Sequence, residues 1–202
     1  MIKQLKLAAV AISCAFVWAG LAAFAAGAAR PSDSPKSTAK AKTTVTNKMS
    51  DADFAKAAAE GGLAEVKFGE LAEDKASSKT VKDLSQRMVD DHTRADDSLK
   101  TAASKENLSI PAQMSAKDQA AYAHLSELSG AAFDRAYARD MVRDHEADIA
   151  TFRREANDGK DASIKSFASQ TLPTLEDHLK MARQALESVS PKTSAKTTKK
   201  QS

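Results

Sequence analysis

Four stretches of this chain, each about seven or eight helical turns long, carry an apolar side chain at every third or fourth position. Gly and Pro hardly interrupt them. Such a stripe is one face of an α-helix; a half-buried strand would alternate with period two. The chain has only seven Phe, two Tyr and one Trp. With Ala abundant and bulky aromatics scarce, helix packing suits the composition better than a sheet-rich core.

The first helix is expected from Ser50, an N-cap ahead of Asp51 and Asp53 in the first turn. Its stripe runs Phe54, Ala58, Gly61, Glu65, Phe68, Ala72, with one carboxylate in the seam. Gly61-Gly62 costs about 1 kcal/mol per Gly relative to Ala, which a close approach of another helix would account for. The second helix spans 78–107, with the stripe Val81, Leu84, Met88, His92, Ala95, Leu99, Ala102. Residues 108–129 then hold a short helix near 116–128. Antiparallel neighbours need fewer than about ten connecting residues, so this connection is long enough to traverse a bundle. The third helix spans 130–157, with Phe133, Tyr137, Met141, His145, Ile149, Phe152 and Ala156 in its stripe and Gly159 as its stop. The fourth spans 161–189, on an arc of Ile164, Phe167, Ala168, Leu172, Leu175, Leu179, Ala182 and Leu186. His178 sits at the edge of that arc, and Pro173 in the interior should kink the helix and free the Ser169 carbonyl. The fold class is all-α: a four-helix bundle with a helical crossover between helices two and three, the connectivity of ferritin-like bundles.

Two segments share the form Met-Val-x-Asp-His: Met88-Val89-Asp90-Asp91-His92 and Met141-Val142-Arg143-Asp144-His145. Leu175-Glu176-Asp177-His178 is a weaker third copy. Glu65, His92, His145 and His178 each lie near the middle of a different helix. At 1.5 Å rise per residue they should fall in one layer within roughly 7 Å. Asp91, Asp144 and Asp177 are rotated about 100° from their histidines and are expected to support the layer from behind, as is Tyr137, two turns before His145.

Two readings of the layer stay open. In one, the protein is a non-enzymatic envelope or stress-related bundle, and the histidines bond a Glu, a Tyr hydroxyl or a carbonyl to fix register. In the other, Glu65, His92, His145 and His178 ligate Zn²⁺, Fe²⁺, Mn²⁺ or Cu²⁺. The lack of a ligand motif with strict spacing favours the first. His124, in the crossover, has no matching partner and reads as a surface or packing residue. No residue is assigned a catalytic role. There is no Gly-rich phosphate loop, no serine in a nucleophile elbow, and Met88, Met141 and Met181 read as core filler.

The chain ends have a different character. Lys3 and Lys6 precede an uncharged run from Leu7 to Ala28, and Ala26-Gly27-Ala28 suits cleavage before Ala29. Residues 1–28 are therefore expected to be an export signal, with retention as a membrane anchor the alternative. Cys14 is the only cysteine, so the mature chain would have none, which excludes disulfides and thiolate sites. A bacterial periplasmic or envelope location follows. Residues 29–48 and 191–202 are rich in Lys, Ser, Thr and Ala and read as disordered linker and tail. The domain at 49–190 carries 19 basic against 26 acidic side chains, a net of −7, while linker and tail each carry +4. Such basic arms suit anionic envelope polymers or lipid; no specific nucleic-acid motif is present.

The run Ala58-Ala59-Glu60-Gly61-Gly62-Leu63-Ala64-Glu65-Val66, both Met-Val-x-Asp-His segments, Phe133-Asp134-Arg135-Ala136-Tyr137 and Leu172-Pro173-Thr174-Leu175-Glu176-Asp177-His178-Leu179 together resemble the bacterial domain-of-unknown-function family 4142. The resemblance covers residues 50–189. It implies export and a ferritin-like four-helix bundle, and no activity. Ferritin-like di-iron sites need Glu-x-x-His on two helices. Here Val89, Val142 and Leu175 stand three before the histidines, which argues against a di-iron oxidase or iron store.

Overall fold

The computed structural model describes residues 49–191. The segments read above as export signal and linker, and the tail beyond Pro191, lie outside these residues. Five helices follow in order: α1 Asp51–Lys75, α2 Lys79–Lys105, α3 Ala116–Ser126, α4 Gly130–Asp158 and α5 Ala162–Val189. None of them is long and apolar enough to cross a membrane.

Local signals set the helix ends. Ser50 caps α1, its Oγ accepting from the Asp53 N–H at 3.1 Å, and Ser115 does the same for α3 through Asp118. At the end of α2, Asn107 takes a positive φ of 55°. The Leu108 N–H then reaches the Ala103 carbonyl and the Asn107 N–H reaches that of Ser104, which closes the helix with a left-handed residue. α5 runs through Pro173 as one helix. The ring removes the N–H that would reach Ser169, and two residues earlier the Thr171 hydroxyl donates to the Phe167 carbonyl at 2.9 Å.

Carboxylates on one hairpin cap helix starts on the other, and this fixes the topology. Asp134, at the start of α4, is 2% exposed. It accepts from the Ser77 N–H, the Ser77 hydroxyl and the Ser78 N–H at 3.0, 2.5 and 2.9 Å, at the N-terminus of α2. At the opposite end Asp51 accepts from the Lys160 and Asp161 N–H groups, and Glu106 from that of Ser163, all beside the start of α5. Each acceptor satisfies donors that a helix start leaves open and complements its dipole. α1 and α5 therefore point one way, α2 and α4 the other. Since α2 and α4 are parallel, the connection through α3 must travel the length of the bundle. This is the ferritin-like arrangement with its crossover.

α1 packs on α2 and α4, and α5 on α2 and α4, so every adjacent pair is antiparallel. α1 approaches the backbone of α2 closely at Gly69. A Cβ there would lie 2.7 Å from Val89 Cγ2 and 3.0 Å from the Ser85 carbonyl. Gly62 abuts the Asp96 carboxylate, but a Cβ on Gly61 would meet nothing within 4 Å. The expectation of a close helix approach at Gly61-Gly62 thus holds for Gly62 and not for Gly61, and the approach at Gly69 was not expected.

The core has two apolar halves. One gathers Phe68, Leu84, Met88, Phe133, Tyr137 and Met141, with α3 adding Leu125 and stacking Tyr122 on Phe68. The other is built on Phe54, Phe152 and Phe167, whose ring centroids lie 4.9–6.4 Å apart, with Leu99, Ile164 and Leu175. Between them lies a polar cross-section.

The inter-hairpin caps should matter to stability as much as a large core side chain. Asp134→Ala strands two backbone donors and a hydroxyl. It should cost about 2–4 kcal/mol, which thermal unfolding should show as a drop of about 5–15 °C. A change within 2 °C would mean that the caps are incidental.

Candidate metal centre

The polar cross-section contains Glu65, His92, His145 and His178, one from each long helix, and all four are buried. Each takes the place of an apolar residue in its helix stripe, so the packing that closes the bundle also brings the four together. Imidazole centroids are 5.2–5.8 Å apart. One ring nitrogen from each histidine lies within 4.8 Å of the other two.

The hydrogen bonds assign the ring protons. His145 Nδ1 faces the Met141 carbonyl at 3.0 Å, and a carbonyl only accepts, so Nδ1 carries the proton and Nε2 is bare. His178 Nε2 faces Asp91 Oδ2 at 2.9 Å. Asp91 is itself paired with Arg87, at 2.6 Å, and with Arg94, which keeps it an ionised acceptor. Burial works to raise the Asp91 carboxyl, but the His178 hydrogen bond and the two guanidiniums outweigh it and hold it below the usual range. His178 Nε2 therefore carries a proton. In a neutral imidazole its Nδ1 is then bare, and that atom faces the bare Nε2 of His145 at 3.3 Å.

Two lone pairs at that distance repel unless a proton or a metal ion lies between them. A shared proton would make one ring an imidazolium, which the surroundings resist. Burial, then the neighbouring His178, pushes His145 down to about 3, against a smaller upward effect of the Met141 carbonyl. Burial also lowers His178, with Asp91 opposing, and pushes His92 well below its ordinary value, helped by the other two rings. Neutral imidazole is the metal-ligating form.

Glu65 lies against two of the three rings, outside the group whose ligand atoms converge. Its Oε2 lies 3.1 Å from His92 Nε2 and its Oε1 3.3 Å from His145 Nδ1. Neither contact has hydrogen-bond alignment for Glu65 Oε1 or His92 Nε2, which are buried without a partner. Burial, and then Asp148, Asp144, Asp96 and Asp118, raise the Glu65 carboxyl well above its ordinary value. A cation in the layer would satisfy both atoms and hold Glu65 ionised.

The four proposed ligands meet, but their expected supports behave differently. Asp91 anchors His178. Asp144 pairs with Arg143 at 3.2 and 3.3 Å and is half-buried at the edge of the bundle, and Asp177 is exposed. The cause is helix adjacency. The face of α2 behind His92 turns toward α5, whereas the same faces of α4 and α5 turn to the margins of the bundle. Tyr137 is fully buried but makes no bond to His145; its hydroxyl has no hydrogen-bond partner, and burial and the Glu65 charge raise it far above its usual range. His124 is exposed.

Two acids that the sequence reading passed over border the layer. Asp96 and Asp148 follow His92 and His145 by four and three residues, and with Glu65 and His92 they line a cavity of about 30 Å³. Their spacing was the available signal, since it puts them on the same helix face as the histidines. Burial, offset by Lys100 and aided by Asp97, raises Asp96 to about 6. Burial and Asp144, offset by Lys117 and aided by Asp118, raise Asp148 to about 7. A raised folded-state value means that the ionised form opposes folding. That penalty is absent below the unfolded value near 3.8 and complete above about 7. Metal-free Asp148→Asn should therefore unfold at a higher temperature than the parent at pH 8, and the gap should close as pH falls toward 4. An equal gap at both pH values would contradict this assignment.

Among solved structures, the chain is similar to one described as "Crystal structure of DUF305 fragment from Deinococcus radiodurans", with a TM-score of 0.60 and 14% sequence identity. The likeness covers 68% of this chain and 95% of that one, and at such identity it shows the fold alone. No curated protein matches the chain. Its sequence matches the family described as "Domain of unknown function (DUF4142)" over residues 34–185, well over half its length, and the chain belongs to that family.

Proposed function

We propose that this protein is an exported, non-enzymatic bundle that holds one divalent transition-metal ion in its Glu/His layer. The observation that carries the reading is the pair of bare nitrogens, His145 Nε2 and His178 Nδ1, facing each other at 3.3 Å. Two imidazoles bound to one tetrahedral ion at about 2.0–2.1 Å place their nitrogens about 3.3–3.4 Å apart. His92 and Glu65 supply the third and fourth donors, each with a buried atom lacking a hydrogen bond. Three imidazoles and a carboxylate favour Zn²⁺, Cu²⁺ or Fe²⁺ over Mn²⁺. The Asp91–His178 pair would act as the carboxylate–histidine support that orients a ligand and raises its basicity.

A binding role fits better than catalysis because the layer is buried and has little free space beside it. His145 and His178 have no exposed surface, and the adjoining cavity of about 30 Å³ holds about one water. An organic substrate has no room beside the four donors. Export is read from residues 1–28 alone: the positive start, the uncharged run and the small residues before Ala29.

One experiment tests both parts. The full chain, expressed in a bacterium with its own N-terminus and no His-tag, is recovered from the envelope fraction and weighed by native and denaturing mass spectrometry. The expected protein begins at Ala29 and carries one metal ion, which His145→Ala and His178→Ala lose. A cytoplasmic protein of full mass would refute export. Recovery without metal, with no uptake of added Zn²⁺ or Cu²⁺, would refute the metal site and leave the layer as a register device.

A further inference from the structure

Gly61 has no packing reason to be glycine: the space a side chain would enter is open. That space belongs to a cleft of about 240 Å³ between α1, α3 and α4. Glu60, Asp118, Asp144 and Asp148 line it, Lys117 is the one basic residue that does, and Glu65 lies at its inner side. Gly61, Glu65 and Asp148 also line the small inner cavity that reaches His92. Cleft and cavity thus share a wall, made of Ala57, of Gly61 with no side chain, and of the two carboxylates.

An acidic cleft alone need bind nothing. Here a second observation points to a cation. Glu65 is 4% exposed, its Oε1 has no hydrogen bond, and it fronts both the cleft and the histidines. We infer that this cleft admits a divalent cation to the Glu/His layer, through a neck that Gly61 keeps open between Glu65 and Asp148. The inference rests on the metal reading above and adds the path. A buried site on four rigid helices needs one, because an ion must shed its water where other oxygen donors replace it. Asp144 and Asp118 at the rim raise local cation concentration, and Asp148 and Glu65 offer successive oxygens on the way to His92.

The test measures uptake of Co²⁺ by metal-free full-length protein in a stopped-flow instrument, followed by the visible absorption that Co²⁺ gains on binding imidazole. Asp144→Asn with Asp148→Asn should slow association about tenfold at low salt while still reaching one Co²⁺ per chain. The wild-type rate should fall with added salt, and that of the double variant should fall much less. Gly61→Leu, which fills the neck, should slow uptake at every salt concentration, and Glu187→Gln, on the exposed face of α5, should not. Melting curves of the metal-free variants identify any that fail to fold, and the carboxamide pair stands without Gly61→Leu. Wild-type rates in both the carboxamide pair and Gly61→Leu would overturn the path and leave the metal site standing. A wild-type protein that takes up no Co²⁺ would overturn the site and the path together.

Discussion

Two imidazole nitrogens facing each other without a proton between them define the strain around which this bundle is arranged. His145 is turned by the Met141 carbonyl and His178 by Asp91, and each of those bonds occupies the outward nitrogen. The inward nitrogens are then 3.3 Å apart between two fully buried rings. Burial disfavours the imidazolium that would relieve them. A bundle of Leu and Phe at the same cross-section would be simpler and more stable. That the chain instead divides its core into two apolar halves, each with its own aromatic cluster, is most simply understood if the layer has an occupant.

The rest of the architecture keeps that cross-section in register. The caps from Asp134, Asp51 and Glu106 join the two hairpins at both ends, so neither can slide along the other without exposing helix-start donors. A slide of one turn, about 5.4 Å, would separate the histidines entirely. The end caps and the central layer are thus two parts of one constraint. The acidic cleft beside α3 belongs to it as well, because the crossover that the parallel α2 and α4 require is what brings Asp118 and Lys117 alongside Glu65.

Much of this was legible in the sequence, for a physical reason. A helix repeats every 3.6 residues, so a stripe gives both the element and its inward face. Residues at the midpoints of four packed helices meet whichever way the helices run, which is why Glu65, His92, His145 and His178 could be grouped before any coordinates. Helix ends followed from Ser50 and Gly159, whereas the Ser115 cap of α3 was not read. What stayed hidden depended on which helices are neighbours. Asp91, Asp144 and Asp177 look alike in sequence, yet only Asp91 lies at a helix interface that leads to another histidine. Asp134 caps a helix start 56 and 57 residues away, a pairing with no local trace. Gly61 and Gly62 are adjacent letters, but one meets a carboxylate and the other open space. Asp96 and Asp148 shared the histidine face and could have been found by continuing each stripe one turn further.

The central claim is that three imidazoles from three helices converge on one ion. X-ray absorption at the Zn K-edge of the Zn²⁺-loaded full chain measures this directly. The expected spectrum shows about four N/O neighbours at about 2.0–2.1 Å, with the outer-shell scattering of three imidazole rings, falling to two rings in His92→Ala. A first shell without imidazole scattering, or one unchanged by removal of His92, His145 or His178 in turn, would contradict it.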